Sequence, residues 1–319
     1  MDRLIKISNG RIEVGVVPDL GGMVALLHVV GKPNVLKADQ SLWKEPPVPP
    51  RKFGPDPDWT PYNGHIVWLG PQSEWWAHQD KSPKKRRERA VWPPDPYINN
   101  GFYEVIERGG TEVVMRGPES EFSGVRLVKS VKIKDDKVLF NVRAENIRNT
   151  PVSWDLWLNT RVDGYAICYA PISFKNIRVD TPGGDGGDEA CVFSQSGGYC
   201  TVEPRKPSKG KERRCGKAFV QAGKGVMAAF TASQALIIRF KRHSPALIHP
   251  EHALVEFYNM TTNNRDDALT ELEYHAPYKT LAPGESMEAG QVWELYPFKP
   301  KPTRDECIKF LESQGPQRC

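Results

Sequence analysis

The sequence predicts an all-β fold, a large antiparallel sandwich closed by a short C-terminal helix. Three observations carry this reading. Helical periodicity is nearly absent, and short stretches rich in Val, Ile, Phe, Trp and Tyr recur between turn signals. The third is turn content: 27 Gly and 28 Pro in 319 residues amount to about 17%, against ~12% in an average chain. A chain of 319 residues can bury a sizeable core. With 39% apolar and 26% charged residues, and 44 Lys+Arg against 39 Asp+Glu, its composition excludes a disordered tail and a basic domain that coats nucleic acid.

In chain order, strands are expected at Arg11–Val17, Met23–Val30, Glu112–Met115, Val125–Lys134, Val138–Asn146, Trp154–Val162, Ala235–Lys241, Ala253–Asn259, Leu269–His275 and Gln291–Tyr296. Each combines β-branched or aromatic residues with alternation. The clearest hairpin spans Val125 to Asn146, where Val125, Leu127, Val131 and Ile133 share a face, Asp135-Asp136-Lys137 turns the chain, and Val138, Phe140, Val142 and Ala144 return.

Three segments are too long for a plain sandwich: 44–63, 77–100 and 180–216. The first two combine Pro with aromatics, as in Trp92-Pro93-Pro94-Asp95-Pro96-Tyr97, a stiff composition suited to pocket walls. The third is rich in Gly, Ser and Lys and reads as a mobile loop. These segments interrupt one continuous series of strands, so residues 1–298 read as one β-sandwich domain and 299–319 as a helical tail. Thr303 and Glu306 form a capping box for that tail, with Ile308, Phe310 and Leu311 as its apolar side.

Met1-Asp2-Arg3-Leu4-Ile5-Lys6 lacks the apolar run of a secretory signal, so a cytoplasmic location is expected. No apolar stretch is long enough for a membrane helix, and membrane insertion is not expected. Cys168, Cys191, Cys200, Cys215, Cys307 and Cys319 contain no C-x-x-C pair, so free thiols are the default. A disulfide-stapled insert at 168–215 is the alternative.

The chemistry-bearing segment is Asp155–Asp163. As a strand it sends Leu156, Leu158, Thr160 and Val162 to the core, while Asp155, Trp157, Asn159, Arg161 and Asp163 line the opposite face. An aromatic face stacks on the C–H surface of a pyranose, and the polar groups bind its hydroxyls. An ordinary solvated face with one Trp is the plainer alternative. In Leu269–His275 the same alternation places Glu271, Glu273 and His275 together, and closely spaced carboxylates divide acid and base roles. His65, entering a strand beside Gly64, is a candidate general acid, against a structural histidine as the plainer alternative.

His243, His249 and His252, with Glu251 and Glu256, hold metal-ligand atoms but lack the helical i, i+4 spacing of H-E-x-x-H, so no metal is expected. No cofactor is expected either. The basic runs at 84–89 and 206–214 read as solubilising, and no nucleic-acid partner is expected.

The order of segments resembles the galactose mutarotase-like (aldose 1-epimerase-like) superfamily. Asn9–Val14, Pro18–Val24 and Asn34–Leu36 resemble its opening strand, Gly-Gly turn and strand. Asn146–Val152 is similar to its N-x-s-x-x-P-v strand, and Leu281-Ala282-Pro283-Gly284-Glu285 to its L-x-P-G-E turn. Trp68-Leu69-Gly70-Pro71-Gln72 and Trp92–Tyr97 most resemble an uncharacterised branch of that superfamily. The resemblance implies an antiparallel β-supersandwich with a saccharide on its concave face. It implies a glutamate base, here Glu271 or Glu273, and a histidine acid that protonates the ring oxygen, here His65. The superfamily's second histidine aligns near Trp157, where this sequence departs from the pattern.

The expected function is therefore acid–base chemistry on a saccharide, with Trp157, Asn159, Arg161, Asp163, Trp68 and Gln72 binding the substrate. Two alternatives stay open: a non-catalytic saccharide-binding protein, and a polysaccharide lyase or glycoside hydrolase in which Arg161 and the basic loops neutralise a uronate. The oligomeric state is left open.

Overall fold

The structure is a computed structural model that describes residues 3–43, 54, 64–172, 177–180, 188–231 and 233–315. The first half of the chain supplies β1 (Ile5–Ser8), β2 (Ile12–Val17), β3 (Met23–Val29), β4 (His65–Gly70), β5 (Glu104–Arg108), β6 (Glu112–Glu119), β7 (Val125–Lys134), β8 (Lys137–Asn146) and β9 (Val152–Asp163). The second half adds β10 (Ile167–Pro171), β11 (Arg178–Asp180), β12 (Asp188–Ala190), β13 (Val192–Ser196), β14 (Tyr199–Glu203), β15 (Arg213–Val220) and β16 (Val226–Phe230). It ends with β17 (Gln234–Phe240), β18 (Val255–Thr262), β19 (Leu269–His275), β20 (Lys279–Leu281) and β21 (Ser286–Pro297).

These strands make two sheets. The 11-stranded sheet runs β1-β2-β3-β4-β9-β19-β18-β15-β11, with β12 also on β15 and β20 also on β9. The 10-stranded sheet runs β13-β14-β10-β16-β17-β21-β8-β7-β6-β5. The fold is the expected antiparallel sandwich, with β12 alone in running parallel to its partner among the described strands. The expected hairpin is β7–β8, paired from Val125 with Asn146 to Lys134 with Lys137, and Asp135 turns at φ 52°. Val125, Leu127 and Val131 of β7 and Val138, Phe140 and Val142 of β8 lie in the one large core between the sheets.

The long segments hold more regular structure than composition suggests. Within 77–100 lie α1 (Pro83–Glu88) and α2 (Pro96–Asn100), the latter capped by Asp95, whose carboxylate accepts from the Tyr97 amide at 2.9 Å. The reading of 180–216 as a mobile loop is corrected from residue 188 onward, where β12, β13, β14 and the start of β15 are paired in the sheets. The glycines there serve a hairpin: Gly197 and Gly198, at φ 58° and 78°, make the two-residue turn between Ser196 and Tyr199. Residues 44–63 fall outside the described residues apart from Gly54. At the C-terminus α3 (Arg304–Ser313) carries the expected Thr303/Glu306 capping box. The five described cysteines are free, buried thiols. No described helix is long and apolar enough to cross a membrane.

Two strands position the site. β9 sits mid-sheet between β4 and β19 and is buried on both faces. Gly64 lets β4 begin beside β3: at φ 47° a Cβ there would lie 1.9 Å from the Val24 carbonyl oxygen. Between the sheets Lys129 is a buried cation, donating to the Gly21 carbonyl at 2.7 Å and standing 4.7 Å from the Tyr103 ring.

Burial pushes the Lys129 ammonium down to about 7. Between that value and the usual ~10.4 of a free lysine the unfolded chain binds the extra proton, so this residue makes stability rise with pH across the interval. Denaturant unfolding of wild type and Lys129→Met at pH 7 and pH 10 checks it. The variant should gain most relative to wild type at pH 7, and the difference should shrink at pH 10.

Candidate functional site

Five adjacent strands, β4, β9, β19, β18 and β15, bring the polar residues of the 11-stranded sheet onto its face away from the second sheet. Register does the placing. Glu271 lies opposite Arg161, Glu273 opposite Asn159 and His275 opposite Trp157. On the other edge of β19, Glu256 lies opposite Glu273 and Tyr258 opposite Glu271. Lys217 in turn lies opposite Tyr258, and Trp68 opposite Trp157. Because alternate residues share a face, all of these side chains emerge together. Gly70 keeps the face open to Asp155: a Cβ there would lie 2.4 Å from the Asp155 carboxylate.

Lys217 is the hub. Its Nζ is 2.6 Å from Glu256 and 2.8 Å from Glu273, and it stands 4.7 Å from the Trp157 ring. Glu256, Glu273, His275 and Asp155 are each 0% exposed. His275 Nδ1 is 3.4 Å from Asp155, and its Nε2 is 3.6 Å from Glu256 and 3.9 Å from Glu273. His252 stacks on His275 at 3.8 Å and 18°, with its Nδ1 3.1 Å from Glu256. Beside this group Arg161 Nε donates to Glu271 at 2.7 Å, and its guanidinium lies 5.1 Å from the Trp68 ring.

The two glutamates on Lys217 differ in proton affinity. Burial raises the Glu256 carboxyl, but Lys217 and His275 outweigh it and hold the group well below the usual carboxylate range. Glu256 also accepts the Ala253 amide at 2.8 Å. Glu273 has fewer donors, and burial, with repulsion from Glu256 and Glu271, pushes it up in spite of Lys217. His275 is opposed by burial, yet Glu256 and Asp155 lift it well above the usual imidazole value. His252 goes the other way, lowered by burial and by the His275 charge. Glu271 is raised by burial and lowered more by Arg161. A carboxyl biased toward its proton thus lies beside an imidazole biased the same way, a pairing suited to acid–base chemistry.

Trp157 Nε1, Arg161 Nη1, His252 Nε2 and Glu273 Oε1 are buried without a hydrogen-bond partner. Each such atom costs about 1–3 kcal/mol unless a ligand or solvent satisfies it. Two donor sets have metal-ligand composition, Asp155/His252/His275 and Glu256/Glu273/His275, each with atoms within 4.8 Å of one another. Neither is arranged for a cation. A metal bonds imidazole nitrogen in the ring plane at about 2.0–2.1 Å, and the stacked His252 and His275 planes do not meet at that reach. The second set is bridged by the Lys217 ammonium.

Of the residues expected from sequence, Trp157, Asn159, Arg161, Trp68, Glu271 and Glu273 come together on this face. Both polar side-chain atoms of Asn159 are buried there without a hydrogen-bond partner. Three do not join them. His65 is corrected: it points into the core between the sheets, its Nδ1 2.9 Å from Thr160 Oγ1 and its ring 4.3 Å from Phe140 and 4.8 Å from Trp293. Burial there holds its pKa well below the usual value. Asp163 ends β9 and pairs with Arg265 at 2.9 Å. Gln72 donates to the Val91 carbonyl at 2.8 Å, within the segment over the site. From that segment Trp75 reaches 6.1 Å from Trp157, and Trp92, 44% exposed, lies 6.2 Å from Trp75.

The sequence reading missed Lys217 because no strand was expected there and the loop at 180–216 took in the start of β15; the alternation of Cys215, Lys217 and Phe219 with buried Ala218 and Val220 was the signal. His275 was placed on the correct face but given no role. His252 and Glu256 were weighed only as metal ligands with His243 and His249. His243 instead lies beside Lys241 and Lys279.

Removing one partner of a buried ion pair leaves the other uncompensated, at a cost of about 3–5 kcal/mol. Arg161→Met should destabilise the fold by that order, while Arg161→Met with Glu271→Leu should recover most of the loss. Equal destabilisation by the single and double variants in denaturant titration would show that the pair is not coupled.

Several solved structures share this fold at low sequence identity. The Slr1438 protein from Synechocystis sp. PCC 6803 is 13% identical with a TM-score of 0.55, covering 92% of this chain and 96% of that one. A galactose mutarotase-like protein from Lactobacillus casei is 9% identical with a TM-score of 0.55, covering 92% and 100%. An aldose epimerase homologue from C. elegans is 12% identical with a TM-score of 0.54, covering 94% and 100%. Among proteins of curated function no sequence matches significantly. The family described as a domain of unknown function, DUF4380, matches residues 2–296. With the match spanning nearly the whole sandwich, the chain belongs to the DUF4380 family and carries it on a galactose mutarotase-like fold.

Proposed function

We propose that the protein acts on a saccharide by acid–base chemistry at the hemiacetal carbon, in the manner of an aldose 1-epimerase. The carrying observation is the buried juxtaposition of Glu273 and His275, 3.9 Å apart, with both groups biased toward the proton. Ionised Glu273 takes the proton of the anomeric hydroxyl. His275 gives its proton to the ring oxygen as the carbon–oxygen ring bond breaks, which leaves the open aldehyde. Rotation of that carbon and reversal of both transfers yield the other anomer, so no proton or electron is lost. Lys217 stabilises the Glu273 carboxylate, and Arg161, Asn159 and Trp157 supply donors and an aromatic surface for the sugar. The fold relatives described as a galactose mutarotase-like protein and an aldose epimerase homologue support this choice of substrate class.

The imidazole reaches the site from β19 rather than from β9, where Trp157 stands. Lys217 bridges both glutamates, which favours a second reading: the same face binds a saccharide without turning it over.

Proton NMR of freshly dissolved α-glucose, α-galactose and a panel of other aldoses separates the two. Acceleration of anomer exchange over buffer is expected, and Glu273→Gln should lower it by about 10²–10⁴-fold. With Glu273 raised above the ordinary carboxylate value and His275 raised above the ordinary imidazole value, the rate should rise as Glu273 ionises and fall only in the alkaline range as His275 loses its proton. No acceleration with any aldose rules out epimerase chemistry. Sugar binding that Trp157→Ala abolishes and Glu273→Gln merely weakens then identifies the binding reading.

A further inference from the structure

The outer face of the 10-stranded sheet carries a cavity of its own, on the other sheet from the charged face. α3 lies across this sheet, and Cys307, Ile308, Phe310 and Leu311 pack against Tyr169, Phe230, Tyr296 and Phe298. Arg239 of β17 fastens the end of the helix, donating to the carbonyls of Gln314 and Gly315 and, at 3.0 Å, to Glu294. Between the helix end and β16–β17 is a cavity of about 410 Å³ with a floor of Tyr169, Val226, Ala228, Ile237 and Leu311. That volume falls in the usual range of about 300–1,000 Å³ for small-molecule sites.

The charge at its mouth is one-sided. Lys224, Lys241 and Arg242 line it, are exposed and make no ion pair among the described residues, while Glu312 is the one unpaired carboxylate in the lining. The Arg239 guanidinium is balanced by Glu294. An apolar floor under three cations that outnumber the one carboxylate, Glu312, is complementary to a molecule with an apolar body and a negative head.

We propose that this cavity is a binding site for an amphiphilic carboxylate, its acyl or aromatic body on the Val226–Ala228–Ile237 floor and its carboxylate at Lys224, Lys241 and Arg242. Arg242 offers the fork that a carboxylate accepts in two parallel hydrogen bonds. The site is independent of the saccharide reading, because none of these residues belongs to the charged face.

Isothermal titration of the full chain with octanoate, octanol and octylammonium tests the proposal. Octanoate should bind most tightly and octylammonium least. Lys241→Gln with Arg242→Gln should weaken octanoate about five- to tenfold, as expected for two exposed charge contacts, and leave octanol unchanged. Val226→Trp should fill the cavity and abolish binding of all three, with anomer exchange at the other face unaffected. Thermal melts establish that each variant is folded, and the two surface substitutions carry the test if Val226→Trp does not fold. No binding of octanoate, equal affinity for octanoate and octylammonium, unchanged octanoate affinity in the double variant, or binding that survives in folded Val226→Trp overturns the proposal.

Discussion

The site depends on one ammonium group, itself partly exposed, that joins two carboxylates lying out of contact with water. Lys217 is the link that lets Glu256 and Glu273 sit on adjacent strands at 0% exposure. Taking two carboxylates out of water is expensive, and buried ion pairs seldom add net stability over apolar residues of similar size. A sheet needing only to fold would place Leu or Val at these positions. The cluster is tolerated because each charge has a counter-charge in reach, and its cost to the fold is what the proposed function would explain. The sandwich supplies the rest of the stability through the core behind it.

The asymmetry of the pair follows from donor count. Glu256 receives Lys217, His252 and a backbone amide, whereas Glu273 receives Lys217 and only a distant His275. The group with more donors is held toward its charged form and the group with fewer leans toward its proton, so two identical side chains on one cation differ in proton affinity. The aromatic surround strengthens this difference. Trp157 lies against Lys217, His252, His275 and Trp68, excluding water from the charges it touches.

Much of the architecture was legible because alternation is a local signal. The β7–β8 hairpin could be read residue by residue, and the two faces of β9 divide as the period of two requires. Face alternation also grouped Glu271, Glu273 and His275 correctly. What could not be read was the partnership across strands. His65 enters its strand beside a glycine just as a catalytic histidine would, but Thr160 opposite it belongs to the inward set of β9, so the imidazole faces Phe140 and Trp293. Lys217 and Glu273 are 2.8 Å apart yet far apart in sequence. Only the pairing order β9-β19-β18-β15 joins them, and no short motif encodes that order. Composition misled at 188–216, where glycines that make a tight hairpin turn resemble those of a linker.

The position of β9 bears on how the protein breathes. It is hydrogen-bonded along both edges, to β4 on one side and to β19 and β20 on the other, so its amides should be among the slowest in the molecule to exchange with solvent. The segment across the site is built differently, from short helical turns that meet the sheet largely through tryptophan rings. Opening that segment breaks side-chain packing, while opening the sheet breaks ladders on two edges. The cheapest fluctuation that uncovers the buried charges therefore moves the cover and leaves the floor intact, and Glu273 and His275 keep their spacing as it does.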